Sequence, residues 1–380
     1  MGWLRWLPSV VVLLPWLLGP AMPSNAARLR DLSGASSFRL LDWETVNLGE
    51  RAARLWRGLT GAAGQTPEDA RTLQAFFSRA RSQSDDRPAV EAALERTVSQ
   101  AYTRAGVTRS EPVATPGLFP PVLVALTQPP NVLVISPRTQ LRVLESVVLN
   151  AMDVAAQERL EASADSTGVV SLVAPIGGLA TYPAMVLEED APDRLLASVA
   201  HEWLHQYLIF YPLGVHYWDS QETREINETT ADLVGQEVGS GLARELDLRP
   251  SPRPAAQTRG AFDFRAFMRE TRFEVERLLS VSQVDAAEAY MRRRRDELEQ
   301  HGYHLRKLNQ AYFALYGSYT EGFAASPTNP IPDLLHRLRE QSGSLAEFIF
   351  RVRSITTVAE LRAAVSPLAA NSMGSPGART

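Results

Sequence analysis

The chain has 380 residues, 45% of them apolar, enough for a sizeable core in one large or two modest domains. Its 39 basic and 43 acidic side chains leave a formal charge of −4, so the charge balance gives no sign of a nucleic-acid partner. There is no cysteine, which excludes disulfides, thiolate metal sites, a cysteine nucleophile and a lipoprotein anchor. Any metal ion has to be held by histidine and carboxylate.

Arg5 precedes the apolar run Trp6–Leu18, and Ser24-Asn25-Ala26 offers a small-x-small cleavage site. This is the anatomy of a secretory signal peptide. The run falls short of the roughly 20 residues a membrane span needs, and Pro8 and Pro15 interrupt it; an uncleaved signal anchor over Trp3–Met22 is the alternative. Residues 1–26 are therefore expected to export the rest to the periplasmic or extracellular side, either secreted or anchored to the membrane by that segment.

Residues 27–110 read as an N-terminal helical region. After a polar stretch to about Asp42, apolar residues recur with helical spacing at Val46, Leu48, Ala52, Leu55 and Leu59. Thr66 can cap a second helix with Pro67 at its first position and a stripe of Leu73, Phe76, Phe77 and Ala80. Asp86 caps a third, with Val90, Leu94, Val98 and Tyr102 facing inward and Gly106 as its stop.

From residue 111 the character changes. Pro121–Thr127 and Val132–Ser136 are short apolar runs rich in β-branched residues and predict two strands. The spacing of Leu141, Leu144, Val148, Met152 and Ala155 predicts a helix over Thr139–Ala162. Gly168–Ala174 and Gly178–Leu187 read as a further strand pair. Asp190 can cap the next helix, which has Pro192 near its first turn and ends before Pro212; Ser220 caps another, with Gly239 or Gly241 as its stop. Pro250–Gly260 reads as a loop. Phe264, Phe267, Met268, Val275 and Leu278 predict a helix facing the core. Residues 366–380 read as a disordered tail. The expected fold class is α+β, predominantly helical, with a small mixed sheet in residues 111–365 and helices on both sides of it.

Within the Pro192 helix stands Ser198–Tyr207, S-V-A-H-E-W-L-H-Q-Y. His201 and His205 are four apart, so both imidazoles leave one face of the helix and can reach one metal ion. Glu202 lies at the edge of that face, placed to take a proton from water. This is the zinc-peptidase reading of H-E-x-x-H. A catalytic zinc takes three protein ligands, and the following helix offers Glu228 and, one turn on, Asp232. Glu228 would bind the metal while Asp232 accepts the spare N–H of a ligand histidine. Glu225 is the strongest rival for the third ligand, with Glu222 and Glu237 behind it.

H-E-x-x-H followed by N-E-x-x-x-D, with 22 residues between His205 and Glu228, resembles the gluzincin metallopeptidases, the thermolysin-like clan. The chain also looks like exported bacterial peptidases or aminopeptidases. The resemblance covers about Gly177 to Gly241. It implies a zincin-like catalytic domain, one zinc ion per chain on His201, His205 and Glu228, Asp232 supporting the first histidine, and Glu202 as general base. It further implies that Gly177–Val186 is an edge strand that pairs with a peptide or protein substrate. A tyrosine or histidine should stabilise the oxyanion. Tyr312, Tyr316 and Tyr319 are available, and Tyr319, after the break at Gly317, is best placed. Glu188-Glu189-Asp190 are candidates to hold a free α-amine. His216, His301, His304 and His336 read as structural. Two other readings stand beside the peptidase: a zinc-binding scaffold without activity, and a zinc hydrolase of a non-peptide amide. Oligomeric state has no signature in the sequence.

Overall fold

A computed structural model describes residues 38, 65–78, 86–107, 118–188, 191–248, 262–317 and 329–365. The export segment, the expected helix over Trp43–Leu59, Asp190, the Pro250–Gly260 loop, Tyr319 and the tail from Ser366 lie outside the described residues. The chain runs α1 (Pro67–Ser78), α2 (Arg87–Arg104), β1 (Val124–Leu126), β2 (Asn131–Pro137), β3 (Glu145–Leu149), α3 (Val154–Asp165), β4 (Val169–Pro175), β5 (Gly178–Leu179) and β6 (Ala184–Val186). There follow α4 (Pro192–Leu208), α5 (Pro212–Val215), α6 (Gln221–Glu245), α7 (Phe264–Ser280), α8 (Val284–Gln300), α9 (Gln310–Tyr316), α10 (Ile331–Glu340), α11 (Leu345–Val352) and α12 (Val358–Val365). The fold is α+β and mostly helical. Among the described residues no helix is long and apolar enough to cross a membrane.

Two three-stranded sheets form in place of the one small mixed sheet expected. β2 is the middle of an antiparallel sheet ordered β3-β2-β4, whereas β1 runs parallel to β6 in a mixed sheet ordered β1-β6-β5. Runs close in sequence, β1 and β2 or β4 and β5, therefore belong to different sheets. The residues Thr139–Ala162 do not form one helix. Glu145–Leu149 is strand β3, Asp153 caps α3 by accepting from Ala156 N at 2.7 Å, and the helix starts at Val154. The β-branched pair Val147-Val148 fits a pleated surface, and the edge of β2 supplies the partner that local spacing could not foresee.

β2 is buried on both faces. Val132 and Val134 pack with α7, α8 and α9 (Phe267, Met268, Met291, Phe313), and Leu133 and Ile135 pack with Leu149, Ala164 and Val173 on the other side. This alternation is the period-two geometry of a strand. The largest core holds α1, α2, β1, β6, α4, α6 and the last three helices. At its centre α4 is buried on nearly all sides, with Trp203 Nε1 donating to Pro120 O at 2.8 Å and Tyr102 OH to Ala200 O at 2.9 Å.

Three of the four outer sheet edges are taken. Glu95 and Glu91 of α2 accept the β1 N–H groups of Val124 and Leu126 at 3.0 and 2.8 Å. On β4, Glu161 of α3 accepts from Val173 N at 2.6 Å, Arg306 donates to Val173 O at 2.7 Å, and Asn309 to Ser171 O at 3.0 Å. On β3, Val148 O accepts from Phe38 N at 3.0 Å. Among the described residues no strand lies along the outer edge of β5.

Glu161 makes a testable case. It is buried, and burial pushes its carboxyl up, but Arg306, the Val173 N–H and Lys307 outweigh that and hold it below the usual carboxylate range. A depressed folded-state pKa gives stability that is present above the unfolded value, near 4.3, and is lost as pH falls through the folded one. Glu161→Gln should cost about 2–4 kcal/mol at pH 7. In urea denaturation the difference from wild type should shrink below about pH 4. A gap that does not change with pH would show that the charge of Glu161 is not what stabilises.

Candidate metal centre

The site is assembled where α4 crosses α6, and glycine sets the distance between them. A Cβ at Gly239 would sit 2.5 Å from Ala197 N and 2.6 Å from Asp193 O, and one at Gly235 would sit 2.8 Å from Ala197 O. The expected stop at Gly239 or Gly241 is therefore corrected: α6 continues to Glu245. Gly239 serves close helix approach and does not terminate the helix. Ser220 does cap α6, accepting from Thr223 N at 3.0 Å.

This crossing brings His201 and His205 of α4 against Glu228 of α6. His201 Nε2 and His205 Nε2 are 2.9 Å apart, and Glu228 Oε2 lies 3.7 and 3.6 Å from them. A circle through these three atoms has a radius of about 2.0 Å, matching the bond lengths of about 2.0–2.2 Å that zinc makes to imidazole nitrogen and carboxylate oxygen. The three side chains could hold a metal ion.

Their outer partners agree. His201 Nδ1 is 3.0 Å from Asp232 Oδ1, and His205 Nδ1 is 2.8 Å from Asn227 Oδ1. Both partners are acceptors, so each Nδ1 carries a proton and each Nε2 is the nitrogen left to face the other, Glu228 and any cation between them. Three electron-rich atoms pointing at one place call for a cation between them. Burial pushes the His201 imidazole down, but the hydrogen bond and charge of Asp232 override it and raise it to about 9. Burial likewise raises Glu228, and the two histidines bring it down to about 2. Positive charge is favoured at this spot.

Glu202 is buried, 7% exposed, and burial pushes its carboxyl upward. Its carboxylate lies against the Cα of Gly178 on β5, where a Cβ would overlap it. His201, Glu202 and Asp232 border a cavity of about 250 Å³ that reaches Gly178, Gly235 and the α9 residue Tyr316.

The sequence had marked His201, Glu202, His205, Glu228 and Asp232, and the structure brings all five together. The rivals of Glu228 are engaged elsewhere. Glu222 accepts from Val358 N, Glu237 pairs with Arg339, and Glu225 accepts from Gln221 and Asn329. Glu188 pairs with Arg87. His216 holds Asp219, His301 stacks on Phe262, and His304 and His336 are exposed. Only part of Gly177–Val186 is an edge, since β6 is the middle strand of its sheet and β5 alone lies outside. Tyr312 is in the core.

Two residues were missed. Asn227 orients His205 and is itself held by Leu213 O at 3.0 Å, and the Tyr217 hydroxyl donates to Glu228 Oε1, leaving Oε2 to the histidines. Asn227 directly precedes Glu228, a signal that could have been used. Tyr217 sits in a turn, where no periodicity points to it. Asp232→Asn should weaken metal binding about 10–100-fold, because the tautomer and orientation of His201 are no longer fixed. Competition with a chromogenic zinc chelator measures this, and an unchanged affinity would remove Asp232 from the site. Comparisons with protein-family models, curated proteins and solved structures give no match for this chain.

Proposed function

We propose that the chain is an exported zinc metallopeptidase of gluzincin type, with a zincin-like catalytic region that hydrolyses peptide bonds in peptides or proteins. The observation that carries this reading is the convergence of His201 Nε2, His205 Nε2 and Glu228 Oε2 beside a buried, otherwise unexplained carboxylate, Glu202. A scaffold needs ligands but has no need of that base.

Zinc held there would supply Lewis acidity, lowering the pKa of water to about 7 and polarising a carbonyl. The residues do the rest. Glu202 takes the proton of the attacking water and passes it to the leaving amine, and its burial, which raises its pKa, makes it the better base. Asp232 and Asn227 keep both imidazoles oriented. Tyr316, on the cavity wall, is a tyrosine that can meet a developing oxyanion, whereas the Tyr217 hydroxyl proton is already given to Glu228. Among the described residues nothing pairs with the outer edge of β5, and a substrate backbone would pair there beside Glu202.

The test is digestion of a mixed peptide library by the purified full chain, before and after chelation and after zinc is returned. Cleavage should vanish with the metal and come back with it. Cleavage that survives chelation, or a zinc-loaded chain that cuts nothing, would refute the peptidase.

A further inference from the structure

Glu228, Asp232 and Gly235 form one stripe on α6, and the stripe continues one turn back to Arg224. The Arg224 guanidinium lies over two rings, 5.0 Å from the centre of Trp218 and 5.7 Å from that of Tyr217. Its Nε is buried and, among the described residues, has no hydrogen-bond partner. Among the described residues no carboxylate pairs with it, unlike Arg96, Arg104, Arg138 and Arg306, each of which holds an acid. The residue as a whole is only half-buried, so a ligand would be met by the outer N–H groups of the fork while Nε stays covered. Ring stacking also holds the planar fork ready for a carboxylate.

Its position along the helix says where such a ligand sits. At about 1.5 Å per residue, Arg224 is about 6 Å before Glu228 along α6, whereas the cavity residues Asp232, Gly235 and Gln236 come after it. The metal ligands stand between the cation and the cavity. A peptide crossing the ligand group from the cavity side would meet Arg224 about two residues from the scissile bond, at about 3.3–3.6 Å per residue.

We propose that Arg224 is the receptor for a carboxylate of the substrate, within about two residues of the bond that is cut. The word substrate rests on the peptidase reading, whereas the anion site rests on Arg224 alone. Two sources present the same chemistry: the free C-terminus of a short peptide, or a Glu or Asp side chain within a longer one.

The experiment separates binding from cleavage. The full chain carrying Glu202→Gln, loaded with zinc, is titrated with fluorescent peptides in matched pairs: a free C-terminus against its amide, and an amidated peptide with an internal Glu against its Gln twin. One carboxylate member should bind about tenfold or more tightly than its twin, the value of one charge-assisted contact. Adding Arg224→Gln should erase the difference and leave the neutral twin unchanged. The pair that responds identifies the source, end recognition or side-chain recognition.

A second readout needs no Arg224 variant. The carboxylate peptide should shield Arg224 from an arginine-selective dicarbonyl reagent, mapped by mass, and its neutral twin should not. Equal binding within each pair, no binding at all, a difference that persists in Arg224→Gln, or equal labelling of Arg224 would each overturn the proposal. If wild type cuts no peptide but the pairs still differ, the peptidase reading falls and the carboxylate site stands. Cleavage with no difference between twins gives the opposite result.

Discussion

Replacing Glu202 by Gln should lower kcat/KM on any cleaved peptide by about 10²–10⁴-fold while the chain keeps one zinc ion. Gln has the same length and volume, so it fits the space beside Gly178 that the bare Cα leaves for a carboxylate. His201, His205 and Glu228 are untouched. What is lost is a group that can accept the proton of water. Initial rates measured alongside metal content separate the two effects. Undiminished turnover with full metal would sink the mechanism, and loss of the metal would move Glu202 from base to structural support.

Gly239→Ala should destabilise the fold by about 1–2 kcal/mol net and weaken zinc binding, against what helix propensity predicts. In a free helix this substitution gains about 1 kcal/mol. Here the new Cβ would meet the backbone of Ala197 and Asp193 at 2.5–2.6 Å. Backbone cannot swing aside as a flexible side chain can, so α6 must lift from α4. Overpacking of this kind costs about 1–3 kcal/mol and occasionally more. The lift would also carry Glu228 and Asp232 away from His201. Gly241 on the same helix is the control, since a Cβ there meets nothing within 4 Å. Gly241→Ala should stabilise by about 0.5–1 kcal/mol. Urea denaturation of both variants measures the contrast, and stabilisation by both would show that the crossing is looser than described.

The same glycines mark what the sequence could and could not say. His201 with His205 and Glu228 with Asp232 were legible because helix periodicity puts residues four apart on one face, and each pair lies within one helix. Which of four acidic residues on α6 faces the histidines was decided by the crossing, together with the partners that occupy Glu222, Glu225 and Glu237. The Asn227 contact lay beyond face counting, since a neighbour in sequence points about 100° away on a helix; it reaches His205 because α4 sits in the angle between Asn227 and Glu228.

Among the elements, α2 and α7 followed their apolar spacing closely, and α4 starts at Pro192 and ends before Pro212 as expected. Residues 139–162 misled because Leu141, Leu144 and Val148 satisfy a helical spacing while Val147 to Leu149 satisfy a strand, and only pairing with β2 decides. Strand pairing failed for a related reason. β1 ends next to β2 in sequence, but its partner β6 lies some 60 residues on, a distance over which the sequence carries no local signal.

The carboxylates of α2 along β1 have a consequence for self-assembly. A cross-β polymer of native subunits needs two open ends on each subunit, one to receive and one to offer. Here Glu91 and Glu95 cover one end of the mixed sheet, β4 and β3 of the other sheet each have outer partners, and among the described residues only β5 has none. Two copies meeting β5 to β5 would exhaust each other and stop as a closed pair. A sheet with one open edge can pair once, so it can dimerise through that edge but cannot add subunits end to end into a fibre.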